Sequence, residues 1–120
     1  MRILALALST LVLAAPAASA TTPSGLRGIV MRGPITPVCR VGVPCEEPAA
    51  NVVLVFSRLG RDVARARTGP KGGYRLTLRP GRYAVRTTTR TLGSVLSPRV
   101  VVVPRHRVAR VDFDIDTGIR

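Results

Sequence analysis

From Gly25 onward, apolar and polar residues alternate with a period of two in short runs broken by Gly and Pro, and no stretch sustains a helical period. The pattern predicts strands and no helix. Its clearest run is Tyr74-Arg75-Leu76-Thr77-Leu78-Arg79, in which Tyr74, Leu76 and Leu78 share one face because successive strand side chains point to opposite sides. Pro80-Gly81 follows, a pair suited to a type II turn, since Pro presets the first central residue and Gly accepts the positive φ of the second. Tyr83 to Thr87 resumes the alternation, so a hairpin is expected with Tyr74 and Tyr83 on the core side.

The remaining runs extend the pattern. Leu26 to Met31 is a first strand, stopped by Gly33-Pro34. Val52 to Phe56 is continuously apolar, as expected of a strand covered on both faces. In Val63 to Thr68, Ala64 and Ala66 oppose Arg65 and Arg67, and the run ends in Gly69-Pro70-Lys71-Gly72-Gly73. Thr88 to Ser97 is polar and reads as a connection, and Arg99 to Val103 is the next strand. Val108 to Ile115 places Val111, Phe113 and Ile115 on one face, with Asp112, Asp114 and Asp116 on the other. Seven such strands with turns about every 8–12 residues predict an all-β fold, a seven-stranded antiparallel β-sandwich, which is commoner at this length than the closed barrel that the same pattern admits.

Ahead of these strands, Arg2, the apolar run Ile3 to Ala15 and the small residues Ala18-Ser19-Ala20 form the pattern of a secretory signal peptide over residues 1–20. Its cleavage leaves a single domain over residues 21–120, secreted, periplasmic or associated with the cell envelope. Pro16 ends the apolar run short of the roughly 20 residues that a transmembrane helix needs. About 100 residues remain, enough for one core.

Export changes the meaning of Cys39 and Cys45, because an oxidising compartment permits a disulfide. They lie in Pro34 to Pro48, PITPVCRVGVPCEEP, whose four prolines remove backbone donors and oppose regular strand pairing. Five residues separate them, unlike the C-x-x-C motif that lowers a thiol pKa, and zinc needs four ligands where the chain has one His. The segment is therefore read as a disulfide-closed loop over 34–48. Arg40 on its ring, with Glu46 and Glu47 beside it, are the candidate interaction residues.

The formal charge is +13, nearly all of it from arginine, which favours polyanionic partners through counterion release. Its distribution argues against a specific nucleic-acid site: the arginines are scattered from Arg27 to Arg120, with only two Tyr and two Phe to stack on bases. An arginine-rich solvated surface is the better reading.

Gly28-Ile29-Val30, Pro48 to Val55, Arg67 to Leu76 and Leu78 to Val85 resemble the running motifs of the carboxypeptidase regulatory-like, or transthyretin-like, domains. Those motifs are a G-x-V strand, a P-x-x-G/N-V-x-V strand, a T-D-x-x-G-x-Y turn and an L-x-P-G-x-Y-x-V hairpin. The resemblance spans most of residues 25–115 and implies a prealbumin-like Greek-key sandwich, usually an accessory, adhesive or carbohydrate-binding module without catalysis. Gly69-Pro70 stands where the family carries an acidic residue, and the cysteine loop is an insertion. The hydroxyisourate hydrolases of the transthyretin branch need a histidine-bearing site and a Tyr-Arg-Gly-Ser ending, whereas this chain has one His and ends Asp116-Thr117-Gly118-Ile119-Arg120. Adhesin relatives form a Lys to Asn isopeptide bond in the core, but the sole lysine here, Lys71, falls in a turn.

No catalytic constellation emerges. His106 sits between two arginines in a proline-led turn without a Ser or Cys motif, and reads as an exposed turn residue. Asp112, Asp114 and Asp116 would lie about 6.8 Å apart along a strand, too far to share one calcium unaided, so pairing with arginines of a neighbouring strand is expected. The expected function is a non-catalytic exported module needing no cofactor or metal, with an anionic envelope polymer, a glycan or a protein as partner. The alternative is a carbohydrate-binding module of the starch-binding or carboxypeptidase regulatory-like type.

Overall fold

The computed structural model describes residues 10–11, 22–88 and 94–119; the expected leader lies outside them apart from residues 10–11. The described chain forms ten strands: β1 (Gly25–Gly33), β2 (Glu47–Pro48), β3 (Val53–Arg58), β4 (Arg61–Arg67), β5 (Gly73–Thr77), β6 (Gly81–Thr87), β7 (Val95–Ser97), β8 (Val100–Val103), β9 (Val108–Arg110) and β10 (Phe113–Asp116). β1 is the spine of one sheet. Along one edge it pairs antiparallel with β5 and then β2; along the other it runs parallel to β9 and then β10, and β7 closes that side against β10. The second sheet, in the order β4-β3-β6-β8, is antiparallel throughout.

The inward faces meet in one core that includes Leu26 and Val30 of β1, Leu54 and Phe56 of β3, Tyr83 and Val85 of β6, and Val101 and Val103 of β8. Phe113 packs edge-on to Phe56 with ring centroids 6.5 Å apart, and Tyr74 lies 5.5 Å from it on the other side. This is the two-sheet, mostly antiparallel β-sandwich that the alternation predicts. Val55 is fully buried yet lies on the outer face of its sheet, with Arg65 and Arg86 as its cross-strand partners. Long arginine side chains can cover apolar surface while their heads stay in water, so β3 is shielded on both sides.

The expected hairpin at Pro80-Gly81 does not form. β5 belongs with β1 and β6 with β3 and β8, so the chain crosses between the sheets over residues 78–80. The Leu78 amide donates to the Ser24 carbonyl at 3.0 Å, and the Tyr83 hydroxyl donates back to the Arg79 carbonyl at 2.6 Å, a tyrosine corner that braces the crossing. Alternation specifies the inward face in either arrangement, so Tyr74 and Tyr83 are both buried as expected, at 5% and 3% exposure. The run Val108 to Ile115 also divides, at Val111-Asp112, although β9 and β10 keep one register along β1.

Two segments read as unpaired carry short strands. Glu47–Pro48 pairs with Met31 and Arg32 as an edge strand, a position that tolerates proline. Val95–Ser97 pairs with β10, inside the stretch read as a connection; residues 89–93 lie outside the described part.

Candidate functional site

The disulfide loop stands at one end of the sandwich. Cys39 and Cys45 are bonded with their Cα atoms 5.5 Å apart, and Gly42, at a φ of 81°, lets the ring turn so that the Val43 amide reaches the Arg40 carbonyl at 3.1 Å. Below the ring, the Ile35 amide donates to the Cys45 carbonyl at 2.9 Å, and Thr117 donates its hydroxyl to the Pro34 carbonyl at 2.7 Å and its amide to the Gly33 carbonyl at 3.0 Å. The loop is thus fixed on the ends of β1 and β10. Its crest is apolar: Val38, Val41 and Val43 are exposed, Val41 completely.

The three residues singled out from sequence do not converge. Arg40 is exposed on the ring and Glu46 on its return limb, while Glu47 is tied to β1 by a 2.6 Å ion pair with the Arg32 Nε. A groove of about 380 Å³ separates the ring from β10, lined by Cys39, Cys45, Glu46, Asp114 and Asp116. Among the described residues no group of three His, Cys, Asp or Glu is placed to hold a metal ion. The exposed valines carried a signal, an apolar residue at 38, 41 and 43 in a segment whose prolines deny it a buried strand.

The opposite end is basic. The β3–β4 turn, the crossing before β6 and the β8–β9 turn meet there, because the Arg58 guanidinium donates to the Pro80 carbonyl at 3.4 Å and the His106 amide donates to the Ser24 hydroxyl at 3.0 Å. Arg58, Arg61, Arg79, Arg82, Arg105 and Arg107 are all exposed at this end, and none of the six carboxylate residues lies in these turns. The nearest, Asp62, is engaged by Arg86 through two bonds of 2.7 and 2.9 Å, which hold its carboxyl below the usual range. His106 is an exposed turn residue at a φ of 58°. Leu59 projects at the tip, 96% exposed.

The aspartate row is not one site. Asp112 leaves the strand, and its Oδ1 accepts the Ile29 amide at 2.9 Å; this bond, ahead of the Arg110 and Arg27 charges, keeps its carboxyl below the usual range despite some desolvation. The pairing with Arg110, at 3.3 Å, comes from the adjacent β9 end of the same broken strand. Asp116 accepts the Gly118 amide at 2.9 Å.

No protein-family model matches the chain, and no curated protein matches it. Among solved structures it is similar to the Bacillus anthracis TIE protein, with a TM-score of 0.53 and 18% identity over 79% of this chain and 16% of that one. It is also similar to GBS52, the minor pilin of Streptococcus agalactiae, with a TM-score of 0.52 and 13% identity over 79% of this chain and 44% of that one. The chain therefore spans less than half the length of either protein. At such identities the likeness is one of fold: a β-sandwich found within longer proteins. The carboxypeptidase regulatory-like resemblance rests on its motifs alone.

Proposed function

We propose that the chain is a non-catalytic, exported β-sandwich module that binds at the cell envelope, with the disulfide-closed loop as its partner contact. The carrying observation is the loop itself: a covalently closed ring moored at both feet, whose exposed Val38, Val41 and Val43 make no contribution to the core. Exposed apolar side chains on a pre-ordered loop lose little conformational entropy on binding, which is how rigid loops gain affinity. Arg40 and Glu46 form the polar rim of that crest. The fold shared with a minor pilin and the disulfide support an extracellular setting. The arginine-rich surface adds long-range, salt-sensitive attraction toward anionic envelope polymers. A carbohydrate-binding role has less support, because all four aromatic residues, Phe56, Tyr74, Tyr83 and Phe113, are buried and leave no ring on which a sugar can stack.

The test is binding of the exported chain to the envelope fraction of its own cells, at low and high salt, beside Val41→Asp. Expected are a salt-sensitive component shared by both proteins and a salt-resistant component lost in V41D. Binding unaffected by V41D under all conditions would overturn the loop's role.

A further inference from the structure

The β3–β4 connection has two residues, Leu59 and Gly60, with φ values of 51° and 79°, the pair of positive angles that a type I′ turn demands. Asn, Asp or Gly adopts the first of these positions readily, whereas a leucine there is strained and, at the tip of this hairpin, contributes nothing to the core. A strained, exposed apolar residue points outward to a function. Its surroundings say which. Leu59 borders an open groove of about 450 Å³ with Arg58, Gly60, Arg82, Ala84 and Val100, and Val102 is exposed beside it on β8. Arg61, Arg79, Arg105 and Arg107 are exposed at the same end, and the carboxylate nearest the tip, Asp62, is held by Arg86.

We infer that this end of the sandwich seats on the surface of an anionic phospholipid bilayer, with Leu59 entering the headgroup boundary and the arginine collar binding lipid phosphates. The chemistry is that of interfacial anchors, which combine an apolar insertion with basic flanks. Each arginine close to an anionic leaflet multiplies the binding constant about fivefold. Arginine stems add apolar contact while their guanidinium groups reach phosphate oxygens in pairs. A soluble polyanion would use the arginines but has no use for Leu59, Val100 and Val102. Single-stranded nucleic acid would need stacking rings that the surface lacks. The assignment takes from the proposed function only the export of the chain.

The experiment is co-sedimentation of the exported chain with vesicles of dioleoylphosphatidylcholine alone and with three-tenths dioleoylphosphatidylglycerol, with thermal melts run alongside. The wild type should bind only the anionic vesicles. Leu59→Asn relieves the turn and should melt no lower, yet its vesicle affinity should fall about tenfold, the loss expected when a leucine is no longer buried. The double variant Arg61→Glu with Arg82→Glu should fall further, and Val41→Asp should bind vesicles as the wild type does. Equal binding by L59N and wild type, or no preference for anionic vesicles, overturns the inference. Salt-resistant envelope binding that V41D loses, with no vesicle binding by the wild type, overturns it while leaving the proposed function standing.

Discussion

The Tyr74 hydroxyl donates its hydrogen bond to the backbone carbonyl of Val111, a residue on the far side of β1 from Tyr74's own strand. The bond spans β1 at Gly28, the register partner of Tyr74, where a Cβ atom would stand 2.1 Å from that same carbonyl oxygen. Without a side chain at 28 the three strands close up, and the donor and acceptor of the rung broken where β9 gives way to β10 each find a new partner. Val111's carbonyl takes Tyr74, and Ile29's amide takes Asp112. Gly28 and Tyr74 are the glycine and tyrosine of the motifs that suggested the family resemblance, and their service is to the fold.

Tyr74→Phe should therefore keep the ring packed on Phe113 while leaving the carbonyl of Val111 unmet, a loss of about 1–2 kcal/mol. Gly28→Ala should cost about 3 kcal/mol, because the obstacle is backbone and cannot move aside. Denaturant midpoints of the two variants at neutral pH give the ranking, and equal effects would contradict it.

The same junction contributes to stability at both ends of the pH range. Asp112's carboxyl is depressed in the folded state, so its contribution is complete above the unfolded value of 3.8 and is lost as pH falls through the lower folded value. Burial, helped by the Asp112 charge, raises the Tyr74 phenol; its contribution is complete below 10.0, the unfolded value, and declines as pH rises beyond it. Asp112→Asn retains an acceptor for Ile29 but should flatten the acid limb below pH 4, and Y74F should flatten the alkaline limb above pH 10. Urea titrations across pH measure both slopes.

Among the described residues, Thr68 is the one polar residue classed with the buried set. Its hydroxyl donates to the Ala49 carbonyl at 2.5 Å and accepts the Val52 amide at 2.8 Å, joining the turn before β3 to the end of β4. Thr68→Val preserves shape and removes both bonds, so a loss of about 2–3 kcal/mol is expected, against about half that for Thr68→Ser, which keeps the hydroxyl. Differential scanning calorimetry of the pair separates the hydroxyl from the methyl.

Period-two alternation made the inward faces of β5 and β6 legible, because it reports the direction of each side chain. It does not report the strand alongside. Pro80-Gly81 fits a hairpin and a cross-sheet arch equally well, and only the Ser24 carbonyl, remote in sequence, completes the arch. β7 escaped notice because an edge strand with Leu96 alone buried shows no alternation. At the loop, charge drew attention to Arg40, Glu46 and Glu47, but Glu47 serves the β1–β2 pairing and the valines form the crest. Leu59 was hidden for a different reason: a leucine before a glycine carries no turn signal, and its left-handed backbone is set by the pairing of Arg58 with Arg61.

Removing the disulfide should separate the loop from the sandwich. No residue from 34 to 46 belongs to the core, and the base of the loop is held by Thr117 as well as by the bond. Closing so short a ring restricts the unfolded chain by about 2 kcal/mol in the chain-entropy model, so Cys39→Ser with Cys45→Ser should lower stability by about that amount and leave folding cooperative. Amide spectra of the double variant should change over residues 34–46 and match the wild type in β3, β6 and β8. Its binding to envelope material should weaken as V41D does, since a free loop must be ordered before its valines can be buried. A double variant that unfolds outright would place the disulfide in the stability of the whole domain and contradict the separation.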